Sequence, residues 1–155
     1  MTTVVSQTFV DTNILIYATD TLSPWYDLAR AGLDQAHRGG AELVLSPQVL
    51  REYLAATTRL STTGQGAPLA QVLENIRVFR AQFRVVDETA LVTDRLVSLL
   101  QTIQVAGKQI HDANIVATML TYSIPYLLTH NVTDFTRFAH LITVLPLDAS
   151  LSAGD

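Results

Sequence analysis

Four acidic residues of this 155-residue chain lie where a purely structural acid is not expected. Asp11 ends a short apolar run, and Asp134 closely follows another. Glu52 and Asp112 fall on apolar faces of predicted helices; Asp112, for example, shares its face with Ile115 at i+3. Burying several carboxylates together is costly unless a cation neutralises them. Because oxygen ligands without any cysteine favour hard cations, the four acids predict a site for Mg²⁺ or Mn²⁺.

A cation held by carboxylates can activate a water molecule and stabilise charge on the oxygens of a phosphodiester. The acids therefore predict a phosphodiesterase-type metal centre. Two of them also have ordinary explanations. Asp112 in a first helical turn would complement the helix dipole. Glu52 could form a salt bridge with Arg51 or Arg59.

These acids must be positioned by short apolar strands that alternate with longer helical segments. Strands are predicted at residues 8–10, 42–45, 84–86, 126–128 and 141–145. Helices are predicted at 13–18, 24–37, 47–59, 69–82, 88–103 and 111–122, with a flexible loop at 61–68. This alternation predicts an α/β fold in which helices cover both faces of a parallel sheet.

Serine–proline pairs at Ser23-Pro24 and Ser46-Pro47 predict helix starts, with serine as N-cap and proline at N1. Sites in open parallel sheets form beyond the carboxyl ends of the strands, which is where Asp11 and residues 129–134 fall. We expect one domain over residues 1–155, with its core at about 7–148 and a frayed end at 150–155.

Composition excludes several classes of protein. The chain is 48% hydrophobic and 15% charged, which is not typical of a disordered segment or a coiled coil. The lack of cysteine excludes disulfides, Fe–S clusters and thiolate catalysis. No signal peptide or membrane helix is evident, so a cytoplasmic protein is expected.

The net charge of −4 argues at first against a nucleic-acid partner. Without the four candidate ligands, however, the remaining 10 acids balance the 10 basic residues. Bound divalent ions would offset the charge of the ligands themselves. The acidic balance therefore no longer argues against a nucleic-acid partner, and it is compatible with a metal pocket.

Four segments resemble, in order, the motifs of PIN-domain ribonucleases and of the VapC-type toxins among them. The segments are Val10–Leu15 (VDTNIL), Ser46–Glu52 (SPQVLRE), Gly107–Ala117 with its IHDA core, and Leu128–Phe135 (LTHNVTDF). The resemblance implies a three-layer sandwich around a central parallel sheet of about five strands. It also implies divalent-metal-dependent cleavage of RNA, frequent homodimers, and a small antitoxin as partner.

Carried over residue by residue, the resemblance implies that Asp11, Glu52 and Asp112 are metal ligands. Asn131 stands where many relatives have aspartate, and Asp134 is the available carboxylate nearby. Either Asp134 binds the metal, directly or through water, or the site has only three carboxylates. Hydroxyl and amide groups that would orient the ligands are expected at Thr12, Asn13, Thr129 and Asn131. An antitoxin helix would lie in an apolar groove, for which the helices at 24–37 and 47–59 are candidate walls.

Three alternatives remain at this point. A haloacid-dehalogenase-like phosphatase would use Asp11 as nucleophile and Lys108 as its lysine, but Asn13 replaces its second aspartate. An HD-type phosphohydrolase is suggested by His111-Asp112, although we expect His111 to cap its helix. A non-catalytic PIN-like module would bind RNA or serve as a scaffold without cleaving it.

Overall fold

A parallel sheet of five strands organises the computed structural model, which describes residues 6–147. The strands are β1 (Gln7–Val10), β2 (Glu42–Leu45), β3 (Arg84–Val85), β4 (Tyr126–Thr129) and β5 (Thr143–Pro146). Their order across the sheet is β3-β2-β1-β4-β5, and every neighbouring pair is parallel. The predicted sheet is confirmed. The predicted fraying at residues 150–155 lies outside the described residues.

Six α-helices and one 3₁₀-helix connect the strands within residues 6–147. They are α1 (Thr12–Thr19), α2 (Tyr26–Arg38), α3 (Pro47–Thr62), α4 (Leu69–Gln82), α5 (Ala90–Leu100), α6 (Gln109–Thr121) and the 3₁₀-helix Val132–Phe138. Helices α1 to α4 follow β1 and β2, whereas α5 and α6 cross back from β3 to β4. Because such crossovers are right-handed, the two groups of helices cover opposite faces of the sheet.

The direction of strand addition reverses between β1 and β4. From β1 the chain builds β2 and β3 on one side, and it then returns to add β4 and β5 on the other. Residue Phe9 pairs with Val44 of β2 and with Leu127 of β4, and all three are fully buried. Two adjacent strands whose connections diverge leave a crevice at their carboxyl ends. The strand topology therefore points to the carboxyl ends of β1 and β4 as the place for a ligand crevice.

Several helix starts differ from the sequence prediction. Helix α2 begins at Tyr26 rather than at Pro24, because Ser23 Oγ accepts a hydrogen bond from Trp25 N in a turn that precedes the helix. Ser46 is the N-cap residue of α3, but its hydroxyl does not cap the helix. That hydroxyl is buried and has no hydrogen-bond partner among residues 6–147.

Helix α5 is shorter than predicted, and α6 begins at Gln109, two residues before the predicted start at 111. Helix α5 covers Ala90–Leu100 instead of 88–103. Helix α6 begins after Gly107, whose positive φ of 61° favours glycine.

Within residues 6–147, none of the helices combines the length and the apolar character needed to cross a membrane.

Candidate active site

Asp11 is the first residue after β1 and lies at the crevice between β1 and β4. Its side chain is almost fully buried, with 7% exposure. Oδ1 accepts a hydrogen bond from Thr12 N at 2.8 Å, and Oδ2 accepts bonds from Thr129 Oγ1 at 2.7 Å and Asn13 Nδ2 at 3.2 Å. Burial raises the pKa of this carboxyl above its ordinary value, while the hydrogen bonds from Thr129, Thr12 and Asn13 oppose that rise and the Glu52 charge adds to it.

Hydrogen bonds join the segment after β1 to the end of β4 and fix the start of the loop that follows β4. Asn13 Oδ1 accepts from His130 N at 3.1 Å. Thr129 Oγ1, which donates to Asp11, accepts from Asn131 N at 3.0 Å. These bonds explain why a carboxylate can be held in a fixed orientation at the end of a buried strand.

Glu52 is brought to the same crevice by α3. Its Oε2 accepts from Thr12 Oγ1 at 3.3 Å, and its Oε1 accepts from Gln48 Nε2 at 2.8 Å. The predicted alternative, a salt bridge from Glu52 to Arg51 or Arg59, is wrong. Arg51 Nη2 instead lies 3.4 Å from Glu88 Oε1. Glu52 takes part in none of the ion pairs within residues 6–147.

Gln48 is a site residue that the sequence analysis missed. It is 4% exposed, and its Nε2 also donates to the backbone carbonyl of His111 at 2.8 Å. Its Oε1 accepts from Asn114 Nδ2 at 2.7 Å. One neutral amide thus connects Glu52 on α3 with the first turn of α6. The available signal was its position one helical turn before Glu52.

Asp112 lies in the first turn of α6 and is half-buried. Burial together with the charges of Asp11, Asp134 and Glu52 raises its pKa from 3.8 to about 6, a rise that His111 only partly opposes. The other three acids therefore lie within electrostatic reach of Asp112. A helix dipole alone would lower the pKa of an acid at this position, so the dipole explanation does not account for Asp112.

Asp134 lies in the first turn of the 3₁₀-helix and is exposed. It raises the pKa of Asp112, which places its charge on the crevice side. Asn131 contributes its backbone N–H to Thr129. His111 is not a helix cap, because α6 begins at Gln109 and the backbone carbonyl of His111 accepts from Gln48.

The donor set fits a hard divalent cation. All four acids present oxygen ligands, none pairs with a lysine or arginine in the described part of the chain, and Asp112 is held among like charges. Across residues 6–147, however, no three acidic or histidine side chains are already assembled as a metal-binding cluster. A cation at this crevice would thus have to draw the carboxylates closer together.

Comparison with known proteins agrees with this geometry. The sequence pattern of the PIN domain matches residues 8–141. The chain is 31% identical over 137 residues to Ribonuclease VapC48 of Mycobacterium tuberculosis, a match that covers 86% of this chain and 92% of the relative.

Solved structures share the fold at lower identity. VapBC2 from Rickettsia felis, bound to a DNA fragment from its promoter, has a TM-score of 0.68 at 20% identity and covers 92% of this chain and 99% of that one. A toxin–antitoxin complex from Klebsiella pneumoniae has a TM-score of 0.60 at 19% identity, with 91% and 98% covered. The parallel sheet contradicts the mainly helical HD-type alternative, and the match over residues 8–141 leaves no support for a haloacid dehalogenase. This chain belongs to the PIN domain family.

Proposed function

We propose that this PIN-domain endoribonuclease hydrolyses RNA phosphodiester bonds with a divalent cation, Mg²⁺ or Mn²⁺, held by its crevice carboxylates. The proposed ligands are Asp11, Glu52, Asp112 and Asp134. Ribonucleases of this family depend on divalent metals in general. The observation that carries the proposal is that Thr12 donates both to Asp11 and to Glu52, which brings two carboxylates without a lysine or arginine partner to one place in the described part of the chain. The raised pKa of Asp112, about 6, agrees with further carboxylates close by.

When bound, the cation supplies activation of water and neutralisation of charge on the phosphate oxygens. The protein's own residues supply the geometry. Thr129, Asn13 and the backbone of Thr12 fix both oxygens of Asp11 through hydrogen bonds. Gln48 and the Thr12 hydroxyl do the same for Glu52. Such outer hydrogen bonds orient ligands and are expected to be needed for full activity.

The proposal is tested by incubating the purified protein with RNA in Mg²⁺, in Mn²⁺ and in EDTA. We expect cleavage with either metal and none in EDTA. Asp112→Asn should abolish cleavage, whereas the matched control Asp94→Asn, at an exposed acid on α5, should cleave as the wild type does. Full activity in Asp112→Asn would refute the assignment. RNA binding without cleavage in any metal would favour a non-catalytic module instead.

We also infer that the protein acts in the cytoplasm as the toxin of a pair and is inhibited by a small antitoxin. The similarity to VapBC2 and to the toxin–antitoxin complex supports this partner. A cavity of about 920 Å³, lined by residues of α1, α2, β2 and α4, could receive a helix of the partner. Of the two helices predicted as groove walls, α2 contributes lining residues to this cavity and α3 contributes none; α4 supplies the other wall in the site that we propose.

The cavity offers apolar side chains such as Leu33 and Phe79 beside the charged Arg30 and Asp34. Ala31→Arg would fill it, whereas Gln35→Arg changes an exposed residue of the same helix that does not line it. Co-expression with the protein of an adjacent small reading frame should suppress cleavage by the wild type and by Gln35→Arg. The same co-expression should not suppress RNA cleavage by Ala31→Arg. Equal suppression of both variants would place the partner elsewhere.

A homodimer is the other partnership we propose. Helix α4 exposes Leu69 and Leu73 one turn apart, with about half of each side chain accessible. Light scattering across a concentration series measures the oligomeric state. A monomer at all concentrations would rule the dimer out.

A further inference from the structure

An aromatic cluster lies at the edge of the acidic crevice. We call it the aromatic rim and define it as Tyr17, Trp25 and His130. The Trp25 and His130 rings are 4.3 Å apart between centroids, and Tyr17 meets His130 edge-on at 5.5 Å. Trp25 is nevertheless 36% exposed. One part of the indole is thus fixed by packing, and another part faces solvent.

The rim is connected directly to the candidate site. His130 follows Thr129 at the carboxyl end of β4, and its backbone N–H donates to Asn13 Oδ1 at 3.1 Å. Asn13 in turn donates through Nδ2 to Asp11 at 3.2 Å. Two hydrogen bonds therefore separate the backing of Trp25 from the carboxylate at the centre of the crevice.

We propose that Trp25, backed by His130 and Tyr17, is a subsite that stacks one unpaired base of the RNA substrate beside the phosphate to be cleaved. This inference rests on the proposed ribonuclease function and adds a substrate contact to it. A base in a continuous duplex is already stacked on both sides. The rim therefore selects single-stranded or looped RNA at this position.

The electrostatics of the crevice make such a contact useful. Four carboxylates repel the RNA backbone, and the chain as a whole carries a formal charge of −4. Stacking on an aromatic ring holds a nucleotide without needing a positive charge. An indole that is held by neighbouring rings also loses little side-chain freedom when a base binds.

A protein partner would use this surface differently. Leu22, in the same loop, is 88% exposed and would contribute to an apolar protein interface about as well as Trp25. It has no ring on which a base can stack. Leu22→Ala is therefore the matched control that separates base stacking from general apolar docking.

The chain contains a single tryptophan, so its tryptophan fluorescence, excited at wavelengths that tyrosine does not absorb, reports on Trp25 alone. We would titrate a single-stranded RNA oligonucleotide, and the same RNA as a duplex, into the non-cleaving Asp112→Asn protein in Mg²⁺. We expect the single strand to quench the Trp25 emission and the duplex to quench it far less. Adding Trp25→Ala should weaken binding of the single strand by about 5- to 150-fold, the range for losing one base–aromatic stack.

Trp25→Phe retains a ring and should weaken binding by less than Trp25→Ala does, which keeps the test valid if the alanine variant is unstable. Leu22→Ala should leave RNA affinity unchanged. Unchanged emission on RNA binding, or equal affinities of wild type and both Trp25 variants, would overturn the proposal. So would Leu22→Ala and Trp25→Ala weakening the antitoxin equally while neither affects RNA, since the surface would then belong to a protein.

The base subsite at Trp25 and the proposed ribonuclease function can be refuted separately. If the wild type leaves RNA intact but RNA quenches Trp25 and Trp25→Ala weakens binding, the base subsite stands and the nuclease proposal fails. If the wild type cleaves RNA and Trp25→Ala cleaves it with the same KM, the nuclease stands and the subsite fails. Trp25→Ala should otherwise raise KM more than it lowers kcat.

Discussion

Removing the charge of Asp112 should make the metal-free protein more stable. Asp112 is half-buried among other carboxylates, and its pKa is raised from 3.8 to about 6. The folded state therefore pays a cost to ionise this group at neutral pH. Asp112→Asn keeps the shape of the side chain and removes that cost. A variant that abolishes cleavage would thus melt at a higher temperature than the active protein.

The size of the effect follows from the pKa. A rise from 3.8 to about 6 corresponds to an upper bound of about 3 kcal/mol. Solvent reaches this half-buried carboxyl and screens part of the repulsion, so we expect about 1–2 kcal/mol in the free energy of unfolding. For a domain of this length, that gain raises Tm by roughly 2–8 °C.

The gain must depend on pH in one direction. Between pH 3.8 and about 6 the folded state binds more protons than the unfolded state, because its Asp112 pKa is the higher one. The stability of the metal-free wild type therefore falls as pH rises through this window. At pH 4.5 the advantage of Asp112→Asn should shrink to about half or less of its value at pH 7.5.

Thermal melts in EDTA at several pH values between 4.5 and 8 measure this difference, with Asp94→Asn as an exposed control that should melt like the wild type. Adding Mg²⁺ should stabilise the wild type more than Asp112→Asn, since binding favours the folded state. An Asp112→Asn protein that is no more stable than the wild type at pH 7.5, or whose advantage is the same at pH 4.5, would refute the reasoning.

Three further outcomes are expected. Thr129→Val removes the hydroxyl that donates to Asp11. It should lower the free energy of unfolding in urea by about 1–2 kcal/mol and kcat by at least about tenfold. An unchanged kcat would contradict the role of Thr129 in holding the carboxylate. Gln48→Ala removes the amide that donates to Glu52. With the fold intact, it should lower the Mg²⁺ affinity measured by calorimetry by about 10- to 100-fold. An affinity equal to that of the wild type would show that Glu52 does not need this hydrogen bond. Gly107→Ala places a Cβ at a residue whose φ is 61°, although the space around it is open. The backbone strain should lower the free energy of unfolding by about 1 kcal/mol, measured as a lower Tm. An unchanged Tm would show that alanine is not strained at this position.

The alternation of short apolar runs with longer helical segments was sufficient to predict the parallel sheet and the helices that cover it. Apolar runs of three to five residues between longer helices could form a covered parallel sheet, and the five strands are present. Asp11 and Asp112 could be singled out from the sequence because an acid at a strand end or on an apolar helix face conflicts with its surroundings. The structure places them within electrostatic reach of each other.

Features that depend on distant contacts could not be predicted in this way. Gln48 is compatible with any exposed helix face, and only the approach of His111 and Asn114 shows that it is buried and fully bonded. Trp25 meets His130 only when the segments after β1 and β4 come together. Ser23 was predicted to cap a helix, but the same hydroxyl can equally close the preceding turn, as it does here.

The pairing of β1 with β4 has a consequence for when the protein becomes active during its synthesis. Thr8 pairs with Tyr126, and Asp11 at the end of β1 is 118 residues away in sequence from Thr129, which donates to it. Contacts so far apart in sequence form late and slowly compared with local helices. A chain still emerging from the ribosome has Asp11 but lacks Thr129 to orient it. A chain in which β4 has not yet been made lacks part of the site, so we expect RNA cleavage only after residues 126–129 have been added.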